Sequence, residues 1–152
     1  MTRRSFIFNV CGAVALAALS PPLSATAFAA LPEVTVWRDP SCGCCEGWVR
    51  HMRGHGFQVK VVSTPDLAPV KSRHGIPDAL QACHTASVGG YALEGHVPAS
   101  AVARLLAERP RAKGLAVPGM PLSSPGMDAG DDRYDVVLFG LPGGGTRVFE
   151  SR

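Results

Sequence analysis

A short β-branched run leads directly into a cysteine-rich turn, and this junction constrains the fold more than any other segment. Residues 34–37 are Val-Thr-Val-Trp, a pattern typical of a strand. Ser41 follows and is a suitable N-cap for a helix over residues 42–53. That helix would carry one apolar face suited to packing on a sheet, formed by Cys45, Trp48, Val49 and Met52. The sequence therefore predicts a strand–turn–helix unit whose helix opens with three cysteines.

The rest of the chain alternates short elements of both kinds. Between the last predicted helix and a closing hairpin, residues 114–132 form a loop rich in Pro, Gly, Ser and Met, without periodicity. The other predicted elements are a strand at 57–62, a weak helix at 66–74, a helical turn at 78–81, a hairpin over 85–97 around Gly89-Gly90, a helix over 98–109, and closing strands at 134–139 and 146–149.

The order of these elements predicts the fold class. A βαβ unit followed by a ββα unit is the thioredoxin-like plan, in which the helix after the first strand begins with Cys-x-x-Cys. We therefore predict an α/β, thioredoxin-like fold for residues 34–152, with a Pro/Gly/Met-rich loop and a C-terminal β-hairpin. The length of 152 residues and the hydrophobic fraction of 46% suit one domain of this kind.

The first 29 residues have the pattern of an export signal peptide. Arg3 and Arg4 precede an apolar run over residues 7–19, and Ala27-Phe28-Ala29 is a small-x-small cleavage site. The arginine pair with Phe6 is typical of the twin-arginine route, and an ordinary Sec signal is the alternative. Cleavage would leave residues 30–33 as a short linker. We expect a periplasmic protein without a membrane anchor.

Charge and cysteine content narrow the classes of partner. The formal net charge of +3 is too small and too scattered for a nucleic-acid-binding surface. Cys11 would be removed with the signal peptide, which leaves four of the 5 cysteines. Those four would lie in an oxidising bacterial envelope, where disulfides form and persist.

The cysteines of residues 42–45 are the strongest chemical signal. Cys42 and Cys45 form a Cys-x-x-Cys pair at a helix start, where the backbone N–H groups favour thiolate over thiol. Thiolate serves both disulfide exchange and soft-metal binding. The third thiol, Cys44, favours the metal, because a two-thiol exchanger has no use for it. A plain disulfide framework, with one bridge in this cluster and one to Cys83, is the structural alternative.

A second pair, Cys83-His84, precedes the predicted central hairpin. If Gly89-Gly90 is a two-residue turn, Val88 pairs with Tyr91 and Cys83 lies opposite His96. Opposed Cβ atoms lie about 4.5–5.5 Å apart, so Cys83 and His96 would share one face. His84 would point to the other face unless the strand starts later, which makes it the weaker metal-ligand candidate.

Two methionines of the Pro/Gly-rich loop, Met120 and Met127, are further candidate ligands. A thioether binds Cu(I) without titrating, which suits an oxidising compartment. The alternative is that each methionine fills a gap in the core. A loop without apolar periodicity makes that alternative weaker.

Taken together, these motifs resemble one family, the periplasmic copper-resistance proteins of the CopG type, and the resemblance runs from about residue 34 to residue 149. It implies a thioredoxin-like fold and copper bound at the Cys-x-Cys-Cys turn. It extends to Cys42, Cys44, Cys45 and Cys83, and less directly to His96 and the two methionines. One departure is Asp128, where the family pattern leads us to expect Glu. The matching segments are residues 42–48, 83–86, 91–99, 114–121 and 124–127.

The sequence thus predicts an exported protein that sequesters copper or handles its redox state and so contributes to copper resistance. Thiolates would hold Cu(I), and His96 would help to accommodate Cu(II). The expected partners are copper ions and other periplasmic copper-handling proteins. The alternative is a periplasmic thiol–disulfide oxidoreductase that uses Cys42 and Cys45. Whether the protein is an enzyme stays open at this point.

Overall fold

The computed structural model describes residues 31–152, so the predicted signal peptide lies outside the described residues. Seven strands form one sheet in the order β2-β1-β3-β4-β5-β6-β7. Their bounds are β1 Val34–Arg38, β2 Val59–Ser63, β3 His84–Val88, β4 Tyr91–Glu94, β5 Gly114–Ala116, β6 Asp135–Phe139 and β7 Thr146–Ser151. The helices are α1 Gly43–Gly54, α2 Ala68–His74 and α3 Ala99–Glu108, with a 3-10 turn at Asp78–Leu80.

The topology confirms the thioredoxin-like prediction. β1 pairs in parallel with β2 and antiparallel with β3, and β3 pairs antiparallel with β4. This arrangement is the βαβ unit followed by the ββα unit. β5 extends the sheet in parallel with β4, and β6 and β7 complete it as the expected C-terminal hairpin.

Two hydrophobic clusters lie on opposite faces of the sheet, because successive strand residues alternate between faces. The larger cluster contains Val36, Leu93 and the buried side chains of α1 and α3. The smaller contains Ala92 and Phe139 with Ile76 and Leu80. Within residues 31–152, no helix is long and apolar enough to cross a membrane.

Two local predictions need correction. The N-cap of α1 is Cys42 rather than Ser41, whose backbone N–H and hydroxyl instead bond to the Asp39 carboxylate. The predicted loop 114–132 begins with β5, which lies between β4 and β6. A Cβ at Gly114 would approach the Ala92 carbonyl oxygen to 1.8 Å, so only glycine allows this close pairing. A strand of three residues carries too little periodicity to be recognised in the sequence.

Candidate metal centre

The first side of the candidate site, which we call the α1 arm, consists of residues 42–45. Cys42 caps the helix, and its Sγ accepts a hydrogen bond of 3.3 Å from the Cys45 backbone N–H. Arg38 braces the turn: its Nη1 donates to the Asp39 carbonyl at 3.1 Å, and its Nη2 bonds to Glu46 at 2.7 Å. Hydrogen bonds from Ser41 also lower the pKa of Asp39. The α1 arm is therefore built by residues that are close together in the sequence.

A disulfide within the α1 arm joins Cys42 to Cys45, with an S–S distance of 2.00 Å. Cys44 and Cys83 are free thiols, so the second bridge of the disulfide-framework alternative is not formed. The Cys42 and Cys44 sulfurs lie 3.5 Å apart. The expected stabilisation of thiolates by the helix start thus applies to Cys42 and Cys45 only after the disulfide is reduced.

The second side, which we call the β arm, consists of Cys83, His84 and His96. The hairpin register matches the prediction, with Val88 opposite Tyr91. Cys83 Sγ lies 3.2 Å from His96 Nε2, so these two residues meet as expected.

His84 does not point away from Cys83, because the exception for a strand that starts later applies. Its Nδ1 lies 3.4 Å from Cys83 Sγ, and its ring lies 5.6 Å from that of His96. The reason is that β3 begins at His84. Cys83 precedes the ladder, where strict alternation of faces no longer applies.

Cys83 connects the two arms. Its Sγ lies 3.9 Å from Cys44 Sγ, and its carbonyl oxygen lies 3.7 Å from Cys45 Sγ. Within residues 31–152, potential ligand atoms that lie within 4.8 Å of one another form two groups. One group is the four sulfurs of Cys42, Cys44, Cys45 and Cys83, and the other is Cys83 with His84 and His96. Cys83 is common to both groups.

Trp48 holds the β arm against α1. Its Nε1 donates a hydrogen bond of 2.8 Å to the Val97 carbonyl, directly after His96 in the chain. Its ring lies 4.5 Å from the ring of His84, whose Nε2 is buried without a hydrogen-bond partner. Trp48 and both histidines are fully buried. The two imidazoles are therefore shielded from water on the side of the helix.

Ser124 determines the orientation and the tautomer of His96. The Ser124 hydroxyl donates to the Pro121 carbonyl at 2.6 Å, so its single proton is already used. The contact of 2.9 Å with His96 Nδ1 must then have the imidazole as donor. The lone pair on Nε2 consequently faces Cys83. Sequence reasoning missed this role of Ser124, and the only signal for it was its place in the Ser-Pro-Gly-Met segment.

The Pro/Gly-rich loop reaches the site through close backbone contact with α1. A Cβ at Gly47 would lie 2.7 Å from Gly126 Cα, so two glycines meet at this point. Met127 follows and is half-buried, and its backbone N–H bonds to the Ser124 carbonyl at 3.0 Å. Met120 is 41% exposed. A metal role for either methionine stays a prediction.

Burial controls the protonation of the β arm. It raises the pKa of Cys83 to about 12, helped by the neighbouring Cys44. It lowers the pKa of His84 to about 3, with smaller effects from His96 and Lys71, and it also lowers the pKa of His96. The metal-free protein therefore holds a protonated Cys83 beside two neutral imidazoles. Binding of a metal to Cys83 would release a proton.

This chain is similar in sequence and in structure to known proteins. Residues 80–127 match a family described as a protein of unknown function, DUF411. Two solved structures, both titled copper resistance protein copG (forms 2 and 1), are 41% identical to this chain, with TM-scores of 0.75 and 0.74. Each match covers 80% of this chain and 98% of the solved chain. No curated protein is significantly similar to this chain.

Proposed function

Because this chain belongs to the family of the copper resistance protein CopG, we propose that it is an exported copper-binding protein that sequesters copper or handles its redox state. One observation carries the proposal. Four sulfurs and two imidazoles converge from three separate chain segments. A disulfide framework would need only paired cysteines, and it would have no use for the two imidazoles.

The donor types match copper. Thiolate and thioether are soft ligands that select Cu(I), and imidazole suits copper among other metals. We assign Cys42, Cys44, Cys45 and Cys83 as thiolate ligands, with His96 and His84 as nitrogen ligands. Met120 and Met127 would contribute from the adjoining loop. Imidazole beside thiolate would let the site accommodate Cu(II) as well as Cu(I).

The disulfide makes copper binding depend on redox state. All four sulfurs become available only when two electrons and two protons convert the Cys42–Cys45 bridge into two thiols. In the oxidised form, Cys44 and Cys83 remain as free thiols beside the imidazoles. The reduced protein should therefore bind more Cu(I) than the oxidised protein.

A second candidate function is thiol–disulfide exchange. The observation in its favour is the bridge between Cys42 and Cys45 at the start of α1 in a thioredoxin-like fold. A helix start lowers the pKa of such thiols and activates them as nucleophiles. However, two-thiol exchange leaves Cys44 and Cys83 without a role.

The Cys44→Ser variant separates the two functions. Loss of one of four thiolates should clearly lower Cu(I) stoichiometry or affinity in the reduced protein, measured anaerobically by competition with a chromophoric chelator. Exchange activity, measured by insulin reduction, should persist or improve, because a route for scrambling is removed. If Cys44→Ser binds copper like the wild type while Cys42→Ser and Cys45→Ser both lose it, thiol–disulfide exchange becomes the better proposal.

His96 is tested against a histidine outside the site. His74 ends α2 and lies 5.0 Å from the ring of Trp37, on the other face of the sheet. His96→Ala should weaken copper binding, and His74→Ala should not. Equal affinities in the two variants would remove His96 from the ligand set.

Export to the periplasm is the remaining element of the proposal, and with it the presence of other periplasmic copper-handling proteins as partners. It rests on Arg3, Arg4 and Phe6. The double substitution Arg3→Lys/Arg4→Lys should block export by the twin-arginine route without affecting folding. Fractionation that still recovers the variant from the periplasm would indicate an ordinary Sec signal.

A further inference from the structure

A buried ionic network lies on the sheet face opposite α1, and it involves no residue of the candidate metal site. Lys71 from α2 pairs with Glu94 from β4, and Thr85 of β3 bonds to both. The Lys71 side chain is 8% exposed, and that of Glu94 is fully buried. Burial raises the pKa of Glu94, whereas hydrogen bonds from Lys71, Ala82 and Thr85 act in the opposite direction.

Every polar group of this network has a partner. Lys71 Nζ donates to the Glu94 carboxylate, to the Ala82 carbonyl at 2.9 Å and to Thr85 Oγ1 at 3.3 Å. The carboxylate also accepts from the Ala82 backbone N–H at 2.6 Å and from Thr85 Oγ1 at 2.7 Å. Lys71 and Glu94 both bond to the backbone of Ala82: Lys71 Nζ donates to its carbonyl, and the Glu94 carboxylate accepts from its N–H.

Ala82 directly precedes Cys83, the residue that connects the two arms. The same network holds the other strand of the hairpin through Glu94, two residues before His96. Between them, the Gly95 N–H bonds to the His84 carbonyl at 3.0 Å. A Cβ at Gly95 would lie 2.8 Å from Ala82 Cβ, so the two backbones are in close contact. The network therefore restrains the residues leading into both Cys83 and His96.

Net stability does not explain such a network. Removing two charges from water is costly, and apolar replacement of a buried ion pair is often neutral or stabilising. A hydrophobic cluster cannot supply a donor and an acceptor for the backbone C=O and N–H of one residue, as this network does for Ala82. Buried polar networks that are fully satisfied make a local structure rigid and unique.

We propose that Lys71, Thr85 and Glu94 are positioning residues that hold Cys83 at its distance from Cys44 and His96. This inference rests on the proposed copper site. It assigns a role to three residues that touch neither the sulfurs nor the imidazoles. Without the network, the backbone at Ala82 would shift toward water to satisfy its N–H and carbonyl groups. Cys83 would move with it.

The first test uses the metal-free protein and requires no copper. Alkylation of Cys83 is compared with alkylation of Cys44 by peptide mass spectrometry, with the Cys42–Cys45 disulfide intact. General loosening exposes both thiols, whereas displacement of Ala82 exposes Cys83 alone. In the apolar variant Lys71→Met/Thr85→Val/Glu94→Leu, the Cys83-to-Cys44 rate ratio should rise roughly tenfold, the fold-change that corresponds to leaving a buried backbone group unpaired.

A graded variant and a matched control complete the design. Lys71→Met/Glu94→Gln retains a carbonyl acceptor for the Ala82 N–H, so the ratio should rise less than in the apolar variant. Phe139→Leu perturbs the core on the same face of the sheet without touching Ala82, and it should leave the ratio unchanged. If the apolar variant does not fold, the Cu(I) affinity of the neutral double variant decides, because loss of the Glu94 charge by itself favours the Cys83 thiolate and speeds its alkylation.

The second readout is Cu(I) affinity in the reduced protein, which should fall about 10- to 100-fold in the apolar variant. Folded variants with wild-type alkylation ratios and wild-type affinity would overturn the positioning role. A wild-type protein that binds no copper would overturn the proposed function instead. The alkylation ratio would still test the network in that case.

Discussion

Both arms of the candidate site contribute cysteine sulfur, and only the β arm adds imidazoles, but the two arms are built in different ways. The α1 arm is braced by Arg38, Asp39 and Glu46, all within a few residues of Cys42. The β arm depends on residues far from it in the chain: Lys71 on one side and Ser124 on the other. The comparison teaches that one metal site can combine a locally determined half with a half that exists only after the sheet has formed.

The groups that form and support the two arms also differ in their exposure to solvent. The Glu46 side chain, which pairs with Arg38, is 40% exposed, whereas His84, Glu94 and His96 are fully buried. Ion pairs in contact with water are screened by salt, and buried groups respond instead to protonation and to loss of packing. We therefore expect salt to weaken the α1 arm, and protonation or loss of packing to weaken the β arm.

The largest effect is expected where the two arms are joined. Trp48→Ala removes a fully buried ring that contacts His84 and bonds to the Val97 carbonyl. It should lower the free energy of unfolding by about 3–5 kcal/mol in denaturant titrations. Trp48→Phe keeps one aromatic ring but loses the hydrogen bond and the volume of the second ring, so a smaller loss than that of Trp48→Ala is expected. Equal losses in the two variants would show that the ring does not connect the arms.

Acid should destabilise the β arm of the metal-free protein. Burial lowers the pKa of His84 to about 3, so below the ordinary histidine value the unfolded chain binds a proton that the folded chain does not. His84 alone should then lower the free energy of unfolding by about 1.4 kcal/mol per unit as the pH falls from about 6.5 to about 5. Above this range, the titration of His84 should add no pH dependence to the free energy of unfolding.

The control for this pH dependence removes the titrating group. Replacement of His84 by Gln should reduce the slope of stability against pH by the equivalent of one proton. If His84→Gln retains the wild-type slope, His84 takes up its proton in the folded state as readily as in the unfolded chain.

A smaller effect is expected at the tautomer-setting hydroxyl. Ser124→Ala removes the acceptor for His96 Nδ1, and outer-shell partners of this kind contribute about 10- to 100-fold to metal affinity. Ser123→Ala is the matched control, because its hydroxyl bonds to the Asp132 carbonyl at 2.5 Å and not to the site. Chelator competition should rank Ser124→Ala well below both Ser123→Ala and the wild type.

The smallest effect belongs to the ion pair of the α1 arm. Glu46→Gln removes the charge of the group that pairs with Arg38 Nη2, and an ion pair this exposed contributes at most about 1 kcal/mol. High salt should abolish even this difference from the wild type, because the charges are screened. A loss comparable to that of Trp48→Ala would mean that the α1 arm is not built locally.

The parts of the site that depend only on residue chemistry and short-range geometry could be predicted from the sequence. The Gly89-Gly90 turn determined the hairpin register, and the contact of Cys83 with His96 follows from it, because a two-residue turn leaves one pairing. The relative direction of His84 did not follow, since β3 begins at His84 and Cys83 precedes the strand. β5 escaped prediction because it has three residues and is held by neighbours on both sides.

The α/β order of elements, the helix that starts at the cysteine cluster and the donors present can all be deduced from the amino-acid sequence. Periodicity, turn residues and capping act over a few positions, so their consequences follow from the chain alone. The contact of Ser124 with His96 and the bonds of Lys71 and Glu94 to Ala82 depend instead on how the folded elements pack. These contacts join residues separated by 11 to 28 positions, and burial in the folded sheet is what makes each hydrogen bond strong enough to position a ligand.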